Sequence, residues 1–204
     1  KFLTIESYRN EAAKALVHLL SRPASLHSVP EVLPLAWEPV GGGGRAVIFE
    51  NAGPFAVARR ALAELPERPY DLVVYGGGRS LPASLRHLLT IGRRIESLDC
   101  VGDLDEPGLV IAVAVRDVAR DVGLPEVKPA EKLYWAMLRA AAELGYPAGW
   151  PAGEGRRGTA DRARELVRGL SPNLAERIAA MLVSGRRVPE EVLGAREMTE
   201  VWRS

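Results

Sequence analysis

The sequence predicts an α/β protein: a parallel sheet with helices on both faces, followed by a helical C-terminal extension. Short apolar runs recur at Ala46-Val47-Ile48-Phe49, Leu72-Val73-Val74-Tyr75 and Ile95 to Val101, each followed by a turn and then a stretch of helical periodicity. The runs are near-continuous in apolar residues, which is the pattern of parallel strands buried between two helical layers. Beyond residue 130 the apolar residues keep only the helical period.

In chain order, residues 5–20 carry Ile5, Tyr8, Ala12, Ala15, Leu16, Leu19 and Leu20 at near-helical spacing, and Arg22-Pro23 ends that helix. A connector with Pro30, Pro34 and Pro39 leads into four consecutive glycines, Gly41 to Gly44, which read as a linker. Pro54 suits the first turn of a helix running to about Leu65. The second unit turns at Gly76-Gly77-Gly78 into a helix from Arg79 to Ile91. The third turns at Gly102-Asp103-Leu104-Asp105-Glu106-Pro107-Gly108 into a helix from about Leu109 to Val122. Glu131 to Leu144, Ala160 to Leu170 and Pro172 to Val183 read as further helices, with a Pro/Gly-rich break over 145–158. The expected division is therefore 1–45 as an N-terminal helix and linker, 46–130 as the α/β domain, and 131–204 as a helical extension packed on it. The opening Lys1, with no initiator Met, predicts a fragment of a longer chain whose N-terminal region is reduced to a remnant.

The 204 residues are enough for a self-sufficient core, and 47% hydrophobic with 26% charged residues is ordinary for a soluble protein. No apolar run approaches the roughly 20 residues that span a bilayer, which excludes an intrinsic membrane role. The single cysteine, Cys100, excludes an internal disulfide and points to a reducing compartment; with no signal peptide visible, the cytoplasm is expected. A net charge of +1 neither favours nor excludes nucleic acid, because clustering on one face matters more than the sum. Arginine greatly outnumbers lysine and comes in pairs, at 59–60, 93–94, 156–157 and 186–187, which read mostly as solvated helix faces.

Chemistry enters through the placement of acids. Glu50 directly follows the first strand; Asp103 and Asp105 follow the third. In a parallel sheet the strand C-termini share one edge, so residues distant in sequence converge there. With Leu104 turned the opposite way, Asp103 and Asp105 face one side of an extended segment, an arrangement suited to one hard cation. Magnesium prefers oxygen ligands and takes one or two carboxylates beside water and substrate phosphate oxygens. Without a cation, three acids at one edge raise at least one pKa. Glu50 then completes the metal shell, deprotonates the attacking water, or protonates the leaving 3′-oxygen; all three roles are open to it. An isolated Asp-x-Asp is common, and an acid before a helix is often only its N-cap. The coincidence of an acid after the first strand, a glycine turn after the second and Asp-x-Asp-Glu-Pro-Gly after the third singles these residues out.

Phe49-Glu50-Asn51 with Pro54-Phe55, followed by Gly102-Asp103-Leu104-Asp105-Glu106-Pro107-Gly108-Leu109, resembles the Toprim domain of topoisomerases, primases and overcoming-lysogenization-type nucleases. Within that group it is most similar to the C-terminal domain of the JetD family of Wadjet plasmid-defence subunits, relatives of the topoisomerase VI A subunit. The resemblance covers residues 46–123 well and the helical tail loosely. It implies that Glu50, Asp103 and Asp105 are catalytic, metal-binding acids for Mg²⁺, with Mn²⁺ able to substitute. It further implies an endonuclease that cuts double-stranded plasmid DNA beside SMC and kleisin-type defence subunits, as a homodimer. The family's N-terminal DNA-binding region is absent or confined to residues 1–40, and Tyr8 has no winged-helix context, so hydrolysis is expected rather than transesterification. The alternatives are a non-catalytic Toprim module that binds DNA or a partner, and a nucleotide- or phosphate-binding doubly wound domain.

Weaker candidates line the same edge. Gly77 and Gly78 offer backbone amides to a phosphate ahead of the helix at Arg79, or simply make a tight turn. Arg79 and Arg86 follow on that helix and would meet DNA phosphates or solvent. His87 and Cys100 read as structural, and Trp135, Trp150 and Trp202 as packing residues of the helical tail rather than base-stacking platforms. Lys128 and Glu131 come near the acid edge without a clear role.

Overall fold

The computed structural model describes residues 34–153 and 158–203. The expected helix at 5–20, its stop at Arg22-Pro23 and the Arg156-Arg157 pair lie outside the described residues. Everything described belongs to one compact unit, an α/β fold around a mostly parallel sheet.

The sheet has five strands: β1 (Ala36–Pro39), β2 (Arg45–Phe49), β3 (Leu72–Tyr75), β4 (Ser97–Val101) and β5 (Val127–Pro129). Their order is β1-β3-β2-β4-β5, with β1 antiparallel to β3 and every other pairing parallel. The central strand β2 is flanked by β3 and β4, so the ends of β2 and β4 are neighbours: Phe49 lies opposite Val101.

Side-chain alternation along these strands fills two cores. Val47, Phe49, Val73 and Val101 point to one face; Ala46, Ile48, Leu72, Val74, Leu98 and Cys100 point to the other. The first face is covered by α1 (Ala52–Glu64), α4 (Glu131–Glu143), α5 (Ala160–Leu166), α6 (Pro172–Val183) and α7 (Ala195–Arg203), through residues such as Leu62, Met137, Leu166, Ile178 and Met198. The second is covered by the short α2 (Leu81–Ser84) with its flanking 3₁₀ turns, and by α3 (Glu106–Val122), whose Ile111, Val115 and Ala119 follow the helical period. Strand β6 (Trp150–Pro151) pairs with β7 (Arg186–Arg187), and a 3₁₀ turn at Glu190–Val192 precedes α7. No helix among the described residues is long and apolar enough to cross a membrane.

Four expectations need correction. The sheet begins before residue 46, because Ala36–Pro39 forms an edge strand; Pro39 is tolerated there, where no partner needs its missing N–H. The Gly41–Gly44 segment is a packed turn rather than a free linker. Gly41 donates its N–H to Asp71 O at 3.0 Å, and a Cβ on Gly41 or Gly43 would collide with the Asp71 carboxylate. Asp71 in turn takes Arg45 Nε at 2.9 Å, and that guanidinium holds its pKa below the ordinary value. The expected helix from Arg79 to Ile91 is broken into a 3₁₀ turn at Gly78–Ser80, α2, and a second 3₁₀ turn at Leu85–Leu89. Hydroxyls compete for its carbonyls, Ser80 Oγ donating to Gly77 O and Thr90 Oγ1 to His87 O. Finally, no boundary appears at residue 130: α4 starts directly after β5 and shares one core with β2, β3 and β4.

Candidate functional site

Parallel pairing of β2 with β4 brings Glu50 and Gly102 side by side at the strand C-termini. Glu50 Oε2 accepts the Asp103 N–H at 3.3 Å, although the two residues are 53 positions apart. Gly102 allows this contact, because a Cβ there would collide with that same oxygen. Glycine at 108 is equally constrained, since a Cβ would strike the Asp103 carbonyl. The Gly-Asp-Leu-Asp-Glu-Pro-Gly stretch is therefore shaped by close backbone approach at both ends, while Leu104 points into the core, fully buried.

Each acid has a different local duty. Asp105 is the N-cap of α3; its Oδ1 accepts the Gly108 N–H at 2.9 Å, which satisfies one of the helix's orphan donors. Asp103 Oδ1 accepts from Asn51 Nδ2 at 3.2 Å and from the Glu190 N–H at 2.8 Å. Asn51 occupies the N-cap of α1 without capping it, its amide being turned to Asp103 instead. The remaining oxygens, Asp103 Oδ2 and Asp105 Oδ2, face Arg187 at 3.7 and 3.6 Å.

Negative charge is in excess here. Burial, then the Asp103 carboxylate, push Glu50 up to about 7. Burial also raises Asp103, against the pull of the Glu190 N–H and of Arg187. Glu190, with none of its surface exposed, is pushed well up by burial, although the backbone N–H groups of Asn51 and Glu50 draw it back. At this separation Arg187 offsets only part of that charge.

Three acids predicted from sequence thus stand at one edge, and a fourth, Glu190, joins them unforeseen. Val188-Pro189-Glu190-Glu191 reads locally as an ordinary turn with solvated acids, and no periodicity or spacing marks it. Arg187 was visible only as half of an arginine pair.

The other candidates are placed differently. Gly77 and Gly78 both have positive φ, at 71° and 62°, and form a turn in which the Gly78 N–H donates to Glu50 O at 3.2 Å and the Gly76 N–H to Phe49 O at 2.7 Å. A phosphate would have to compete with these bonds, and only short helical turns follow. Arg79 is exposed and, with Arg162 and Arg186, lines a groove of about 630 Å³ that opens beside Asp105. Arg86 is exposed on the second 3₁₀ turn. His87 Nδ1 accepts the Leu35 N–H at 3.0 Å, fastening the chain ahead of β1. Cys100 is buried, and burial pushes its thiol up, away from nucleophilic use. Trp150 stacks on Tyr146, Trp202 meets Tyr70 edge-on, and Trp135 is partly exposed on α4. Glu131 is spent on the Ser171 N–H, and Lys128 is exposed on β5.

Hard carboxylate oxygens such as these are the donors that a divalent ion like Mg²⁺ takes. Among the described residues, no three acidic, histidine or cysteine side chains form a ready-made cluster for one. Magnesium does not require such a cluster, because it keeps several waters and is usually held by one or two carboxylates with substrate oxygens. Asp103 Oδ2 and Asp105 Oδ2, hard donors facing a common cation, meet that need. No protein-family model, curated protein or solved structure matches this chain.

Proposed function

We propose that this chain carries a Toprim-type, Mg²⁺-dependent endonuclease domain that hydrolyses phosphodiester bonds in DNA, related to the JetD family of plasmid-defence subunits. One observation carries the reading. Glu50, Asp103 and Asp105 meet at the C-terminal edge of adjacent parallel strands, in a partly buried acidic site that Arg187 compensates only in part. Asp103 and Asp105 would hold the ion, with Glu50 beside them. Bound there, Mg²⁺ supplies charge neutralisation at the phosphate and lowers the pKa of a coordinated water.

The protein's own groups do the rest. Hydrolysis forms a bond from water oxygen to phosphorus and breaks the bond from phosphorus to the 3′-oxygen. The water's proton must be taken up and the leaving oxygen must receive one. A carboxyl group whose pKa is about 7 is suited to either transfer at neutral pH. Asn51 and the Glu190 N–H hold Asp103 Oδ1, leaving Oδ2 to face outward from the pair. Arg79, Arg162 and Arg186, along the groove beside Asp105, supply positive charge for the DNA backbone. Plasmid DNA, SMC and kleisin-type subunits and a second copy of the chain are the partners this reading implies, in the cytoplasm.

The test is nicking of supercoiled plasmid in Mg²⁺ or Mn²⁺. Glu50→Ala should abolish it while leaving the circular dichroism spectrum unchanged; retained nicking by the variant would refute the assignment.

A second reading is favoured by one contact. Arg187 faces the free oxygens of both aspartates and partly neutralises them without any ion, as a non-catalytic Toprim module that docks DNA or a partner would require. Tight DNA binding by the wild-type protein, with no cleavage in either metal, would support that reading.

A further inference from the structure

We infer that Glu190 is the positioning residue of the acid edge: its buried carboxyl group holds the backbone at Glu50 and Asn51 while its own N–H holds the Asp103 side chain, which fixes Glu50 and Asp103 relative to one another. This inference rests on the nuclease reading for its consequence, but its geometry stands apart from it.

Glu190 is completely buried, which is costly for a carboxylate unless it is well hydrogen-bonded. Its Oε2 accepts the Asn51 N–H at 2.9 Å, and Oε1 accepts the Glu50 N–H at 3.2 Å, a proton shared with the Val101 carbonyl. Its own N–H donates to Asp103 Oδ1 at 2.8 Å. One residue therefore grips the backbone that bears Glu50 and the side chain of Asp103 at once. Asn51 closes the ring, receiving Glu190 at its N–H and giving its amide to Asp103. Two further bonds lock the segment to the same loop: Leu104 N–H donates to Val188 O at 2.9 Å, and Val188 N–H to Leu104 O at 3.1 Å.

An aliphatic side chain at 190 would avoid the cost of burying a carboxyl group but would leave the Asn51 N–H without this acceptor. A carboxylate there does what an aliphatic group cannot: it accepts two N–H groups at the point where β2 delivers Glu50. Groups that orient metal-binding carboxylates typically change metal affinity by about 10–100-fold when removed.

The experiment uses the full chain and its Glu190→Gln and Glu190→Ala variants, with three readouts: melting temperature, hydrogen exchange of the Asn51 amide, and Mn²⁺ affinity by electron paramagnetic resonance. Glu190→Gln should fold, exchange the Asn51 amide faster than global unfolding accounts for, and bind Mn²⁺ about 10–100-fold more weakly. A folded Gln variant with native Asn51 protection overturns the inference, as does one with faster exchange and unchanged Mn²⁺ affinity. If Glu190→Ala fails to fold, the Gln variant alone decides. Should the wild-type protein bind no Mn²⁺, the nuclease reading fails, while Asn51 exchange still decides whether Glu190 holds the edge.

Discussion

At Gly102 the chain gives up a side chain so that Glu50 Oε2 can reach the Asp103 N–H. That approach keeps Glu50 against Asp103, and burial with like charge lifts its pKa to about 7. The effect on stability has a definite sign. Glu50 is a stronger proton binder in the folded state than in the unfolded chain, so the folded state gains below the ordinary value of 4.5 and loses that gain as pH rises through about 7. Asp103 and Glu190 shift in the same direction. In EDTA the melting temperature should therefore fall as pH is raised from about 5 to about 8, and Mg²⁺ should restore it; a melting temperature that is flat or rising over that range would contradict the excess of negative charge. Glu50, Asp103 and Asp105 were legible in the sequence because strand ends in a parallel sheet share an edge whatever their separation along the chain. Glu190 was not, because its relation to Glu50 spans 140 positions and arises from a return of the chain that no local pattern encodes.

Elements show the same divide. Strands β2 and β3 were readable as continuous apolar runs, since both faces of each are buried, whereas β4 carries Ser97 and Asp99 and was readable only from the apolar residues around them. The edge strands β1 and β5 escaped, being short and proline-bearing, with pairing on one side only. The helix expected at 79–91 had correct apolar spacing, with Leu81, Leu85 and Leu88 all buried, but not the regular backbone that the spacing implied. At the start of α3 two duties of Asp105 coincide, as helix cap and as site acid, and they can be separated. Asp105→Ala should cost about 1 kcal/mol by urea unfolding, the usual loss for a removed cap. Asp105→Asn keeps an oxygen for the Gly108 N–H and should keep most of that stability, while losing Mn²⁺ binding. Equal destabilisation by the two changes would show that the cap bond contributes nothing.

For the molecule as a whole, the helical tail is not an appendage. Val188, Leu193, Met198 and Val201 lie in the same core as Val47, Phe49 and Val101, and α7 lies against α1 and α4. A chain ending at Gly185 should lose its cooperative thermal transition, as followed by calorimetry; a sharp transition in that truncated chain would show the α/β part to be self-sufficient. Composition predicted enough apolar residues for a self-sufficient core, but the division at 130 could not be judged from sequence, because helical periodicity reports an apolar face and not what it faces. The separation of Glu190 from Glu50 along the chain also bears on manufacture. Translation proceeds from the N-terminus, so both aspartates and Glu50 leave the ribosome well before the residue that fixes them arrives. On the proposed nuclease reading, the acid edge would be completed only once Glu190 has been made.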